Sequence, residues 1–272
     1  CLIMTMPCLM VGVVGNEGTD WTGKLLVVPM DGSHWTGLKA VAEELGRRGH
    51  KVVVVIPEVS MRLGAGKHYV TKTFPVPYGQ DLIDQMTAQT SQHITGFMSL
   101  LEQVSELRNQ MYFVTYLMIS TSESLFFNQE LMGFLMEQKF DAVLTDPAMP
   151  AGAILAYNLS LPAVYMLRGM PCGLDSKATR VLNVLVSILE SSVCKVLYGS
   201  FEDLASRVMN RPVSMVEILS SGAVWLLRYD FTAEFPKPLM PNMVLIGGLN
   251  CAITSPLKPV STTDKGCVLQ SK

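Results

Sequence analysis

Apolar residues along this chain fall into short unbroken runs, and between the runs they recur every three or four positions. The runs are KLLVVP at 24–29, KVVVVIP at 51–57, DAVLTD at 141–146, PAVYML at 162–167, AVWLLR at 223–228 and MVLIG at 243–247. Each is strand-length and none alternates with polar residues, which marks strands buried on both faces. HYVTKTFPV at 68–76 does alternate, between turn residues, and reads as a further strand. After the first run, Leu38, Val41, Ala42 and Leu45 repeat at i, i+3, i+4 and i+7, the stripe of an amphipathic helix. Ser33 or Thr36 is placed to cap it, and Gly46 and Gly49 to end it. Residues 79–138 carry no strong strand signal and predict two or three helices, with Phe127, Leu131, Phe134 and Leu135 on one face. A helix is predicted over about 149–158. A longer helical stretch is predicted over about 181–220, with Pro212 in a first turn.

Strands alternating with helices predict an α/β fold, a doubly wound and mostly parallel sheet. Ligands of such sheets bind outside the carboxyl ends of the strands. The first strand ends there in Asp31-Gly32-Ser33-His34-Trp35, and the 141–146 strand ends there in Asp146. If both strands are central, the two side chains converge. A histidine that donates one ring proton to a carboxylate presents its other nitrogen as a base. The carboxylate fixes the tautomer and stabilises the imidazolium. The alternative from spacing alone is that His34 only opens a helix and Asp146 only caps the next one. His50 reads as solvated, His68 as the opening of a strand and His93 as a surface position on a helix.

Composition narrows the function classes. The chain has 272 residues, 21 Lys+Arg against 23 Asp+Glu, and this near-zero net charge argues against a nucleic-acid footprint, which needs a basic face. It is 49% hydrophobic and 16% charged, which suits a large core and some apolar surface covered by a further domain or a membrane. The six cysteines show no CxxC pair, and no His, Asp or Glu cluster has metal-ligand spacing, so no metal is expected. There is no G-x-S-x-G, and the first βα turn lacks G-x-G-x-x-G, so neither a hydrolase elbow nor a dinucleotide cofactor is predicted. The Met and aromatic residues of 86–136 read mainly as core, a few facing the rim to line an apolar pocket. Residues 1–15 are almost wholly apolar, which suits a signal-peptide core or, alternatively, a buried element. No run reaches the ~18 apolar residues of a membrane span. Asn158-Leu159-Ser160 is a glycosylation sequon, relevant in the secretory pathway. The predicted organisation is a leader over 1–23, one domain over 24–251 and a polar, disordered tail over 252–272.

Five segments taken together, KLLVVPMDGSHW, ELGRRGHKVVVVIPEV, FDAVLTDP, LPAVYMLRGMPC and VWLLRYDF…PKPLMPNMVLIGGLNC, resemble the N-terminal half of a vertebrate UDP-glucuronosyltransferase of family 1. The resemblance covers about 24–251. It implies the Rossmann-like, acceptor-binding domain of a GT-B glycosyltransferase, facing a second domain that binds UDP-glucuronic acid. It implies transfer of the sugar to a hydroxyl of a small lipophilic acceptor, by direct displacement with inversion and without a metal or other cofactor. On this resemblance the general base falls on His34 and its orienting carboxylate on Asp146. Ser33 and Trp35 flank the base and are expected to touch the acceptor. The resemblance further implies a cleaved signal peptide and the lumenal side of the endoplasmic reticulum. Two departures carry expectations of their own. After MPCGLDSKATR the family's Pro- and aromatic-containing segment does not follow, so part of the acceptor wall is expected to differ. Residues past GGLNC do not resemble the family's donor half or membrane anchor. Activity is therefore expected only in a complete enzyme; alternatively the chain is a non-catalytic form that binds ligand, or pairs with a full-length transferase as a homo- or hetero-oligomer and lowers its activity.

Overall fold

The computed structural model describes residues 22–93, 100–167, 198–228 and 239–246. Seven strands are described: β1 (Lys24–Val28), β2 (Lys51–Pro57), β3 (Val70–Phe74), β4 (Ala142–Thr145), β5 (Ala163–Leu167), β6 (Val224–Leu227) and β7 (Met243–Leu245). They form one sheet in the order β3-β2-β1-β4-β5-β6-β7, every pair parallel. The helices are α1 (Ser33–Arg47), α2 (Gln80–His93), α3 (Leu100–Phe126), α4 (Gln129–Glu137), α5 (Ala151–Asn158), α6 (198–209) and α7 (Met215–Ser220).

The unbroken apolar runs are explained by burial on both sides. Leu25 and Val27 of β1 point to one face with Val52, Val54, Leu144, Val164 and Met166, covered by Trp35, Leu38 and Ala42 of α1. Leu26 and Val28 point to the other, with Val143 and Tyr165, under side chains of α3 to α7 such as Leu125, Leu135, Ile154, Leu204 and Ile218. Full burial of such a side chain contributes about 1.5–3 kcal/mol, which favours a strand apolar at every position. The sheet is thus doubly wound, in the Rossmann-like strand order.

Several local expectations are corrected. No side chain caps α1. Ser33 is its first residue, and the N-cap is Gly32 at φ 79°, ψ −139°, a conformation open to glycine because it lacks Cβ. Phe127 does not share a face with Leu131. Asn128 starts α4 anew, its side chain accepting from the Leu131 N–H at 3.0 Å, and Phe127 is left 56% exposed in the turn. Pro212 opens no helix, because the helical backbone is interrupted over 210–214 and Ser214 caps α7. His50 is half-buried and its Nδ1 accepts from the Gly23 N–H at 3.1 Å. His68 is exposed just before β3, and His93 is the last residue of α2. The expected leader, the disordered tail, the helical stretch over 181–197 and all six cysteines lie outside the described residues.

Candidate active site

β1 is the strand from which the sheet grows both ways. The chain runs from β1 outward to β2 and β3, then returns to add β4 on the other side of β1. At this reversal the connections leave in opposite directions and open a crevice at the carboxyl ends of the strands. His34, in the first turn of α1, and Asp146, the residue after β4, stand at its two lips. The β1–β4 register, with Val28 opposite Thr145, sets both strand ends level. Thr145 Oγ1 donates to the Val28 carbonyl at 2.7 Å and ties them together.

His34 Nδ1 lies 2.6 Å from Asp146 Oδ2. A carboxylate only accepts, so Nδ1 carries the proton. The Asp146 side chain is 2% exposed and that of His34 32%, so the carboxylate is sealed behind the ring while the ring faces the crevice. Asp146 Oδ1 accepts from the Ala148 N–H at 2.9 Å, and its backbone carbonyl accepts from Met149 at 3.1 Å. One residue therefore shapes the β4–α5 turn and orients the imidazole. Tyr198 of α6 supports that turn by donating to the Pro147 carbonyl at 3.1 Å. Burial pushes its phenol up to about 12, and the Asp146 charge adds to the shift. The sequence reading missed Tyr198, 51 residues from its partner, since nothing in local pattern marks it.

The two positions flanking the base differ. Ser33 is exposed at the helix start. Trp35 is 2% exposed on the inner side of α1, edge-on to Tyr69 at 6.1 Å between centroids, and what it contributes is packing. Gly37, one turn beyond His34, leaves room for the guanidinium of Arg228, whose Nη1 stands 2.8 Å from where a Cβ would be. Asn158 is exposed at the end of α5, beside a cleft of about 600 Å³ that Tyr157, Ser160, Pro162 and Arg211 also line. Pro162 directly precedes β5, so this cleft is at the end of the sheet opposite the dyad. No group of three or more His, Cys, Asp or Glu able to hold a metal occurs among the described residues. No described helix is long and apolar enough to cross a membrane.

The chain matches the model of the family UDPGT, UDP-glucoronosyl and UDP-glucosyl transferase, over residues 23–180 and 176–263. UDP-glucuronosyltransferase 1A6 of Homo sapiens is 41% identical over 278 residues, which is 92% of this chain and 52% of that protein. UDP-glucuronosyltransferase 1A1 of Rattus norvegicus is 34% identical over 275 residues, 92% of this chain and 51% of that protein. The chain spans about half the length of the curated relatives it matches. Among solved structures, Spinosyn Forosaminyltransferase SpnP aligns over 84% of this chain and 51% of that chain, with 20% identity and a TM-score of 0.47.

Proposed function

Since the chain belongs to the UDPGT family of UDP-glucuronosyl and UDP-glucosyl transferases, we propose that it is the acceptor-binding half of an enzyme that moves glucuronic acid from UDP-glucuronic acid to a hydroxyl of a small lipophilic acceptor. The observation that carries this reading is the 2.6 Å His34–Asp146 contact at the strand-order reversal. Glucuronic acid as the sugar is carried by the names of the curated relatives.

In this mechanism the acceptor hydroxyl arrives at Nε2 of His34. As its oxygen bonds to the anomeric carbon, the bond from that carbon to the UDP oxygen breaks, and the configuration inverts. The hydroxyl proton passes to Nε2, and UDP leaves with the electron pair of the broken bond. Asp146 holds Nδ1–H, so Nε2 is the basic nitrogen, and its charge offsets the imidazolium formed during transfer. The acceptor is a weak nucleophile while protonated, so removing its proton during attack lowers the barrier by an amount worth about 10²–10⁴-fold in rate. Ser33, exposed beside the base, is proposed to touch the acceptor. The apolar first fifteen residues and the Asn158 sequon support a protein that enters the endoplasmic reticulum and works on its lumenal side, with Asn158 glycosylated.

The test joins the chain to the carboxyl-terminal half of a curated relative and follows glucuronide formation from UDP-glucuronic acid and 1-naphthol. His34→Ala is expected to lose at least about 10²-fold in rate. Asp146→Asn is expected to lose rate with the fold intact, since the tautomer is no longer fixed. Full rate in His34→Ala would overturn the reading.

A further inference from the structure

The cleft at the amino end of the sheet takes no part in the dyad, and the chain's one glycosylation sequon forms part of its wall. Asn158 is the last residue of α5, Leu159 is the C-cap, and Ser160 follows at φ 54°. The Ser160 N–H donates to the Tyr157 carbonyl at 3.1 Å and the Leu161 N–H to the Ala156 carbonyl at 2.9 Å. These two bonds make the helix end a Schellman motif, whose left-handed position ordinarily belongs to glycine. A Cβ is strained at this φ. Ser160 is also exposed, so burial does not account for it. What serine brings to the position is the hydroxyl that completes Asn158-Leu159-Ser160.

The facing wall is held in place by its own contacts. The Tyr157 hydroxyl donates to Glu217 Oε1 and accepts from Arg211 Nη2 at 2.8 Å, and the same Nη2 donates to Glu217 at 3.1 Å. The Arg211 guanidinium also stands 5.7 Å from the centroid of the Tyr157 ring. The tyrosine is thus fixed at its hydroxyl and over one face, and loses little freedom when something packs against it. Met209 and Pro162 supply apolar surface, and the volume of about 600 Å³ falls within the ~300–1,000 Å³ of small-ligand sites. A pyranose has an apolar face of C–H groups and a rim of hydroxyls. A tyrosine beside an arginine offers the matching pair of surfaces, one apolar and one polar. The cleft runs from the end of α5 to Arg211 in the α6–α7 connection, so an occupant attached to Asn158 spans two segments of the chain.

We propose that Asn158 carries an N-linked oligosaccharide whose first N-acetylglucosamine lies in this cleft against Tyr157 and Arg211, and that this sugar braces α5 against the α6–α7 connection. This rests on the reading above that the chain enters the endoplasmic reticulum, and it adds where the glycan sits and what it does. The donor is an oligosaccharide joined to a lipid pyrophosphate. The side-chain nitrogen of Asn158 bonds to the anomeric carbon and loses one proton. The bond from that carbon to the pyrophosphate oxygen breaks, and the lipid pyrophosphate leaves with the electron pair. At this end of the sheet the glycan leaves the crevice at His34 uncovered, so it stabilises the domain without entering the chemistry.

The test produces the whole chain in two hosts. One is mammalian cells blocked in glycan processing, with a supplied signal peptide so that entry to the secretory pathway does not depend on residues 1–15. The other is bacteria, where no glycan is added. Peptide mass mapping reads occupancy at Asn158, and thermal melting reads stability. Asn158 is expected to be occupied in the mammalian protein. Asn158→Gln is expected to lower the midpoint of the mammalian protein by about 2–4 °C and that of the bacterial protein by about 1 °C at most. Endoglycosidase H, which trims the glycan to its first sugar, should leave most of the gain in place. In a Tyr157→Ala background, loss of the glycan should cost clearly less, because the ring and the sugar share one contact. An unoccupied Asn158, or equal losses in the two hosts, overturns the proposal. A trimmed protein that melts with the bare one, or a glycan effect unaltered by Tyr157→Ala, overturns the seat in the cleft. The His34→Ala rate in the joined enzyme decides the transferase reading separately, because Asn158→Gln is expected to leave that rate unchanged.

Discussion

Replacing Gly152 by alanine should destabilise the protein by about 2–4 kcal/mol and disturb the dyad at the same time. Gly152 is the second residue of α5 and faces Thr145, the last residue of β4. A Cβ there would stand 2.0 Å from Thr145 Oγ1 and 2.5 Å from Thr145 Cβ. Neither atom can simply yield. The Thr145 Cβ is fixed to a central strand, and Oγ1 is buried and donates to the Val28 carbonyl at 2.7 Å. Two relaxations remain. Lifting α5 off β4 costs about 1–3 kcal/mol, as for other overpacked cores. Rotating Thr145 about χ1, already stiff in a β-branched residue, strands a buried acceptor at about 1–3 kcal/mol. Rotation leaves the Cβ–Cβ overlap in place, so both relaxations operate in part. Because Thr145 directly precedes Asp146, the displacement reaches the carboxylate that holds His34. Urea unfolding followed by tryptophan fluorescence gives the loss as a shift in midpoint at constant slope. Adding Thr145→Gly should make the pair less destabilised than the sum of the single changes by at least about 1 kcal/mol. A loss below about 0.5 kcal/mol for Gly152→Ala, the level of an ordinary surface change, would refute the steric argument.

Other outcomes follow from single contacts. Asn128→Ala removes the cap that accepts from Leu131 at 3.0 Å and should cost about 1 kcal/mol in urea unfolding. Tyr198→Phe should cost about 0.5–1.5 kcal/mol by releasing the Pro147 carbonyl. Ultraviolet titration of the parent should show Tyr198 ionising near pH 12 in place of its ordinary 10, where burial favours the neutral phenol. The folded state raises this value, so the associated stability is present below pH 10 and is lost as pH rises towards 12. Hydrogen bonds from Arg47 and then Arg48 lower the Glu44 carboxyl from 4.5 to about 2, so its stabilisation is present above pH 4.5 and is lost as pH falls towards 2. These pairs are exposed, so Glu44→Gln should cost only a few tenths of a kcal/mol at neutral pH, less in high salt, with no difference from the parent near pH 2.

The strands, the first helix and the two residues of the dyad are readable from the chain alone, because each leaves a local mark. A strand buried on both faces must be apolar at every position, and a helix with one buried stripe must repeat every three or four. His34 and Asp146 were legible because each follows such a run at its carboxyl end, where an α/β sheet places its ligands. That the two meet was not local information. They are 112 residues apart, and their contact exists because β4 adds beside β1, a choice made by long-range packing on both sides of the sheet. The helix start was misread for a related reason: Ser33 and Thr36 have capping side chains, but the φ of Gly32 carries the chain into α1 without one. Phe127 fits the helical period of α4 in sequence, yet Asn128 restarts the helix after it and turns it to solvent. Tyr198 leaves no periodic signal at all. Its role comes from a backbone carbonyl that only folding brings within reach, where a buried polar group must find a partner from whatever part of the chain is adjacent.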